Sequence, residues 1–230
     1  MKIKILEFSE GARKAEGVTV VIDVFRAFSV SCYAYEAGVK EIIVTDSIGE
    51  AFKLKEKYRE SVLAGERNEK KIKGFDLGNS PTEILLNDLR GKILIQTTTA
   101  GTRGLLYATS ASELFTGSLV NAGAVARYIK KLNPETITLV AMGYRGITSA
   151  EEDILCAEII SDRITGGNKD FSERIRNLYE TSGKRFFIPE NADFSPPTDF
   201  FLCTMTDRFN FVLKALKRLD GNITLVKIEV

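Results

Sequence analysis

The chain contains no histidine. That absence excludes Ser-His-Asp catalysis, histidine-ligated zinc and phosphohistidine chemistry. Any bound metal must then be held largely by oxygen, which favours Mg²⁺, Mn²⁺ or Ca²⁺. Cysteine is scarce. Cys32, Cys156 and Cys203 are far apart, odd in number and without CxxC spacing, a pattern of reduced thiols rather than a disulfide framework. None has an arginine six positions on, which argues against a cysteine-nucleophile phosphatase. Asp23-Val24-Phe25 lacks the second acid of a DxD pair, so the aspartyl-phosphate signature is also missing. Neither a P-loop nor a strand-linked GxGxxG occurs, and the nucleotide-binding folds built on them lose support. Charge excess is absent too. Lys and Arg number 32 against 31 Asp and Glu, a net charge of +1, unlike a nucleic-acid protein bound mainly through phosphates. No apolar run reaches the roughly 18 residues of a membrane span, and the N-terminus lacks a secretory apolar region. A cytoplasmic location is the default expectation.

What is present is ordinary globular material: 230 residues, 44% hydrophobic and 27% charged, enough for one large α/β domain or two small ones. Lys2–Leu6 and Val18–Val24 read as strands, the second apolar on both faces as in a buried parallel sheet. A helix over 27–37 stops at Gly38, and a strand follows at 41–45. Ser47 and Glu50 form a capping box for a polar helix reaching about Arg59. Further strands are expected at 61–64, 92–96, 113–116, 136–142 and 223–228, with helices at 81–88, from about 102, at 119–132, 150–164 and 172–181. This βαβα alternation predicts a layered α/β/α fold with a mostly parallel or mixed central sheet. Residues 1–230 read as a single domain, in which 166–230 form a C-terminal subdomain or a late cover on the same sheet.

In open α/β sheets ligands gather at the carboxyl ends of strands, and four turns there carry chemistry. Asp23 ends a buried strand, where a carboxylate is costly unless paired or metal-bound. Arg26 beside it is expected to grip an anionic ligand through its planar fork, with an ion pair to Asp23 as the purely structural alternative. Glu66 and Arg67 open the next loop. That loop leads into Gly74-Phe75-Asp76-Leu77-Gly78-Asn79-Ser80-Pro81, whose second half is a helix start with Ser80 as cap, Pro81 at the first position and Glu83 two further on. Asp76 sits between glycines that let the backbone approach a ligand. The third turn, Thr97 to Thr102, offers hydroxyls and, through Gly101, free N–H groups at a helix start, a generic anion site. The fourth runs from Gly143 through Arg145 to Glu151-Glu152-Asp153, for which capping by Ser149 and the helix dipole supply a purely structural alternative.

Taken in order, Val21-Ile22-Asp23-Val24-Phe25-Arg26-Ala27, Gly65-Glu66-Arg67, Phe75 to Pro81, Thr97-Thr98-Thr99 with Gly101-Thr102, Glu152 to Ala157 and Asp207-Arg208-Phe209 resemble the 2-phosphosulfolactate phosphatase family. Ala100 stands where members usually carry Asn, Asn68-Glu69 replaces Gly-Gly, and Glu158 replaces Gly. The resemblance implies an α/β, Mg²⁺-dependent hydrolase of a phosphorylated sulfonated lactate, in coenzyme M synthesis. It implies catalytic roles for Asp23, Arg26, Glu66, Arg67 and Asp76. Metal contacts are expected among Asp23, Glu66, Asp76, Glu152 and Asp153, and substrate contacts from Asn79, Ser80, Thr99, Gly101, Thr102 and Arg145. The nucleophile stays open between a carboxylate-activated water and Asp23 itself. A non-catalytic sensor of a phosphorylated acid, a phosphatase for a different small phosphorylated acid, and a lyase or transferase on a related acid are the alternatives. Expected partners are a small phosphorylated acid and, with oligomeric state left open, a second copy of the chain; nucleic acid and membrane are not expected.

Overall fold

The computed structural model describes residues 1–230. Its apolar strand runs form one ten-stranded mixed sheet flanked by helices, a layered α/β fold. Strands β2 (Gly17–Ile22) and β8 (Thr136–Ala141), apolar on both faces, pair in parallel in the middle of one four-stranded block, with Val20 opposite Leu139. Strand β1 (Lys2–Glu7) adds beside β8 and β7 (Ala111–Gly117) beside β2, both in parallel. A second parallel block sets β6 (Ile93–Thr97) between β3 (Glu41–Val44) and β4 (Val62–Arg67), whose end pairs with the short β5 (Lys70–Lys71).

The C-terminal hairpin β9 (Phe211–Lys217) and β10 (Ile223–Glu229) joins the blocks: β9 runs antiparallel to β7, and β10 antiparallel to β3. The two blocks therefore point in opposite senses. Ordinary sheet twist, roughly 20–25° per strand, accumulates to more than about 100° over the five steps from β2 to β6. The carboxyl ends of both blocks thus swing toward one another.

Inside that curl lies α2 (Ala27–Glu36), with residues 27–34 all buried, as its nearly continuous apolar sequence requires. Helix α1 (Phe8–Arg13) and α5 (Gly101–Tyr107) share this concave core with Leu94, Val140 and Leu213. On the outer face α6 (Ala122–Leu132) and α7 (Glu151–Ile164) cover Val20, Ile22 and Leu139. Helix α3 (Ile48–Lys57) covers Ile43, Leu63 and Ile95. The remaining helices are α4 (Pro81–Leu85), α8 (Ser172–Asn177) and α9 (Pro197–Thr204).

Local signals account for much of this. Ser47 caps α3 as expected, accepting from the Glu50 amide at 3.3 Å. Ser80 likewise accepts from Glu83 N at 3.2 Å, but the Glu83 carboxylate reaches back to Gly78 N rather than to its cap. Helix α4 ends at Leu85, short of the expected 88, because the Asn87 side chain takes the Glu83 carbonyl at 2.7 Å. Helix α1 was not legible: it is six residues long and its first residue is uncapped by any side chain. All three cysteines are buried and free. No helix is long and apolar enough to cross a membrane.

The buried Gln96 holds α2 to β6, donating to the Ala27 carbonyl at 2.8 Å and accepting from Ser31 Oγ at 2.7 Å. Gln96→Leu should lower stability by about 1–3 kcal/mol, the cost of stranding buried polar groups, measured by chemical denaturation. An unchanged midpoint would show that α2 is held by packing alone.

Candidate active site

Where the two blocks converge, four acidic side chains enter one small cavity, each almost wholly buried: Asp23, Glu66, Glu152 and Asp153. Three of them are held by backbone amides of a different turn. Asp23 takes Ala27 N at 3.1 Å and Gly101 N at 2.9 Å. The close approach requires glycine at 101, where a Cβ would meet Asp23 Oδ2 at 2.7 Å. Glu66 takes the Thr99 amide at 2.7 Å, its hydroxyl at 3.1 Å and Glu69 N at 2.9 Å. Asp153 links the turn after β2 to the turn after β8, accepting from Val24 N and Gly143 N at 2.8 Å each. Glu152 differs: its Oε2 is buried with no partner. The capping role considered for this triplet is not realised, since α7 begins after Ala150 with no side-chain cap.

The cavity also receives Arg26, Asn79, Thr99 and Arg145, so eight of the residues singled out from sequence meet here. The buried Oδ1 of Asn79 has no partner either. Arg26 does not pair with Asp23. Its guanidinium meets Asp199 at 2.8 Å, a pair with 3% and 0% side-chain exposure, and donates to the Phe194 carbonyl.

Other expected residues lie elsewhere. Asp76 is outside the cavity, about half exposed, accepting from Leu63 N at 2.8 Å and facing Lys55. Arg67 bridges the Glu66 and Asp46 carbonyls and the Thr97 hydroxyl. Ser80 caps α4 and donates to Asp199 at 2.8 Å. Thr102 and Thr98 hydrogen-bond each other across the helix start. The amides of Thr99 and Gly101 are engaged by Glu66 and Asp23, so the anions at this turn are the chain's own carboxylates.

Sequence reasoning did not single out Phe25, Asn68, Glu69, Tyr144 or Arg185, which also line the cavity, nor Asp199. Arg185 sits in a 3₁₀ segment, Ser182–Phe187, with no local signature. Asp199 looks like an ordinary acid in the first turn of α9. The only available signal was the departure of Asn68-Glu69 from glycine. Both residues hold left-handed backbone, at φ 54° and 68°.

Burial dominates the electrostatics. It pushes Asp23 up to about 6, with Glu66 and Glu152 adding to the rise against the Ala27 and Gly101 amides. Asp153 is raised by burial and by the Glu152 and Asp23 charges. Glu152 is raised by burial, opposed by the Arg185 guanidinium and by the Ser182 hydroxyl, which lies nearby without hydrogen-bond geometry to it. Five carboxylates line the cavity against three arginines, and two of the arginines already have carboxylate partners. No three carboxylates are spaced to ligate one ion together. An all-oxygen set with an unpartnered buried carboxylate oxygen still fits a hard cation held by one or two carboxylates and completed by water and phosphate, the usual habit of Mg²⁺.

Comparison with known proteins adds a family. A family model described as 2-phosphosulpholactate phosphatase matches residues 5–186. A Bacillus subtilis relative named probable 2-phosphosulfolactate phosphatase is 34% identical over 99% of this chain and 98% of its own. A relative of the same name from Caldanaerobacter subterraneus subsp. tengcongensis is 37% identical, covering 85% and 86%. One from Carboxydothermus hydrogenoformans is 45% identical, covering 60% and 58%.

The position of Asp76 gives a sharp expectation. Asp76→Ala should strand the buried Leu63 amide and cost about 1–3 kcal/mol, while leaving the rate per folded molecule unchanged. Denaturation and kinetics on the same preparation check this. A rate loss without destabilisation would put the carboxylate in the chemistry.

Proposed function

The chain belongs to the 2-phosphosulpholactate phosphatase family, and from that premise we propose that it is a phosphoric monoester hydrolase acting on a small phosphorylated acid. The substrate proposed is 2-phosphosulfolactate, giving sulfolactate and inorganic phosphate, a step of the coenzyme M type. The observation that carries this reading is the buried carboxylate cluster with arginines beside it in one cavity. A phosphate dianion is repelled by such a cluster unless a cation sits between them.

Glu152, with its free oxygen, and Asp23, whose carboxyl is pushed up by the Glu66 and Glu152 charges, would hold Mg²⁺. When bound, the ion would polarise the phosphoryl oxygens and offset their charge. The chain's own groups do the rest. Phosphoryl transfer is chiefly positioning and charge neutralisation, and the amide-held Glu66 and Asp153 keep the four turns in register. Asn79 and the Thr99 hydroxyl can orient phosphoryl oxygens. In the proposed hydrolysis a water oxygen attacks phosphorus and gives its proton to a carboxylate of the cluster. The phosphorus–ester oxygen bond breaks and the leaving oxygen takes up a proton.

Phosphate release from a panel of esters tests the proposal. Activity should require Mg²⁺, disappear with chelator and return on readdition, and Glu152→Gln should lower kcat by on the order of 100-fold or more. Tight binding of the phosphorylated acid with no phosphate released would favour the sensor instead.

A further inference from the structure

Arg185 reaches the cavity from the 3₁₀ segment after α8, on a part of the chain that supplies no strand to the site. Its guanidinium is pinned on one side, where Nη2 donates to the Phe25 carbonyl at 3.1 Å. It is boxed by rings, its central carbon 5.2 Å from the centre of Phe186, 5.7 Å from Tyr144 and 5.9 Å from Phe25. Nη1 contacts the Glu69 carboxylate. The third nitrogen, Nε, is buried and donates to nothing. A guanidinium presents a rigid fork suited to two oxygens of a carboxylate or sulfonate; here one prong is idle.

Two arginines of the same cavity contrast in how they are paired. Arg26 and Asp199 are sealed at 3% and 0% exposure, and Asp199 also accepts from Ser80 and from the amide and hydroxyl of Thr82. Arg185 and Glu69 are 22% and 23% exposed, and Glu69 stands on left-handed backbone in a surface turn. The first pair is built into the fold; the second is built to exchange. Beyond it, Arg145 is exposed, and its guanidinium carbon lies 5.2 Å from the same Tyr144 ring. Two cations therefore flank one aromatic ring at this cavity. The cavity is small, about 50 Å³. An anionic tail paired with Arg185 would take the place at Nη1 that the Glu69 carboxylate now holds.

We propose that Arg185 sets the specificity of this site by binding the non-reacting anionic group of the substrate, a sulfonate or carboxylate, in exchange for Glu69. This rests on the phosphomonoester reading above. Glu69 acts as a resident stand-in for that group, and Arg145 joins Arg185 once the tail is bound.

The test compares two phosphate monoesters, 2-phosphosulfolactate with its anionic tail and p-nitrophenyl phosphate without one, in the full-length protein with Mg²⁺. Arg185→Gln should raise KM for the tailed ester about 10- to 100-fold more than for the other, and Arg185→Lys should recover only part of the difference. Glu69→Gln should lower KM for the tailed ester. An equal loss on both esters, or a higher KM in Glu69→Gln together with a lowered Tm, would overturn the exchange and leave the pair a structural brace. If the wild type releases phosphate from neither ester, the phosphatase reading fails, and calorimetry with sulfolactate decides the inference by itself. Binding lost in Arg185→Gln would sustain it; no wild-type binding, or equal affinity in the variant, would overturn it.

Discussion

Burial of like charge at one seam is the constraint on which the rest of this structure depends. Two parallel blocks of strands, set in opposite senses by an antiparallel hairpin, curl until their carboxyl ends meet around α2. The turns that meet there carry four carboxylates, and turn backbone amides hold three of them in place. Ionised carboxylates in so little water repel one another and lose hydration. The amides offset part of this, as the opposed effects on Asp23 show. A hard cation would offset more, and the anionic substrate proposed needs the same cation to approach at all.

The arrangement divides labour between inner and outer charges. The inner carboxylates, fixed by β2, β4, β6 and β8, are rigid because their partners belong to secondary structure or to turns leading directly from it. The outer arginines come from loops and from the segment after α7, with aromatic rings setting their planes. In the proposed function, chemistry at the seam and selection by the arginines are carried by different parts of the chain.

Sequence made the seam legible because its logic is local. Asp23 directly follows β2, Glu66 lies at the end of β4 and Thr99 in the turn after β6, while Asp153 opens the helix reached by the loop from β8, and strand ends are where α/β sheets place ligands. The same reasoning misplaced the emphasis on Asp76. Its glycines and proline look like a ligand loop, but the loop crosses back along β4, with Leu77 N on Leu63 O at 2.9 Å and Gly65 N on Leu77 O at 3.2 Å. The Asp76 carboxylate secures that crossing. Arg26 was expected to grip an anionic ligand, with Asp23 as the structural alternative, yet its guanidinium meets Asp199, in a distant helix that no local pattern points to. The layered α/β class followed from strand and helix alternation. The position of β9 and β10 between the two blocks did not, because antiparallel pairing with β7 and β3 is a long-range choice that periodicity does not encode.

The account turns on the cost of those buried charges, and thermal stability against pH measures it directly. A carboxyl raised in the folded state stabilises the protein while protonated, and that contribution is lost as pH rises through its folded value. For Asp23 that value is about 6, and Glu152 and Asp153 are shifted in the same direction. With no histidine in the chain, no ordinary side chain masks this window. Without divalent cation, Tm should fall between about pH 4 and pH 7, and the fall should shrink in Asp23→Asn. Saturating Mg²⁺ should raise Tm at pH 7.5 more than at pH 5, because it binds the ionised folded form. A Tm that is flat or rising over this range, with no Mg²⁺ effect at pH 7.5, would contradict the account.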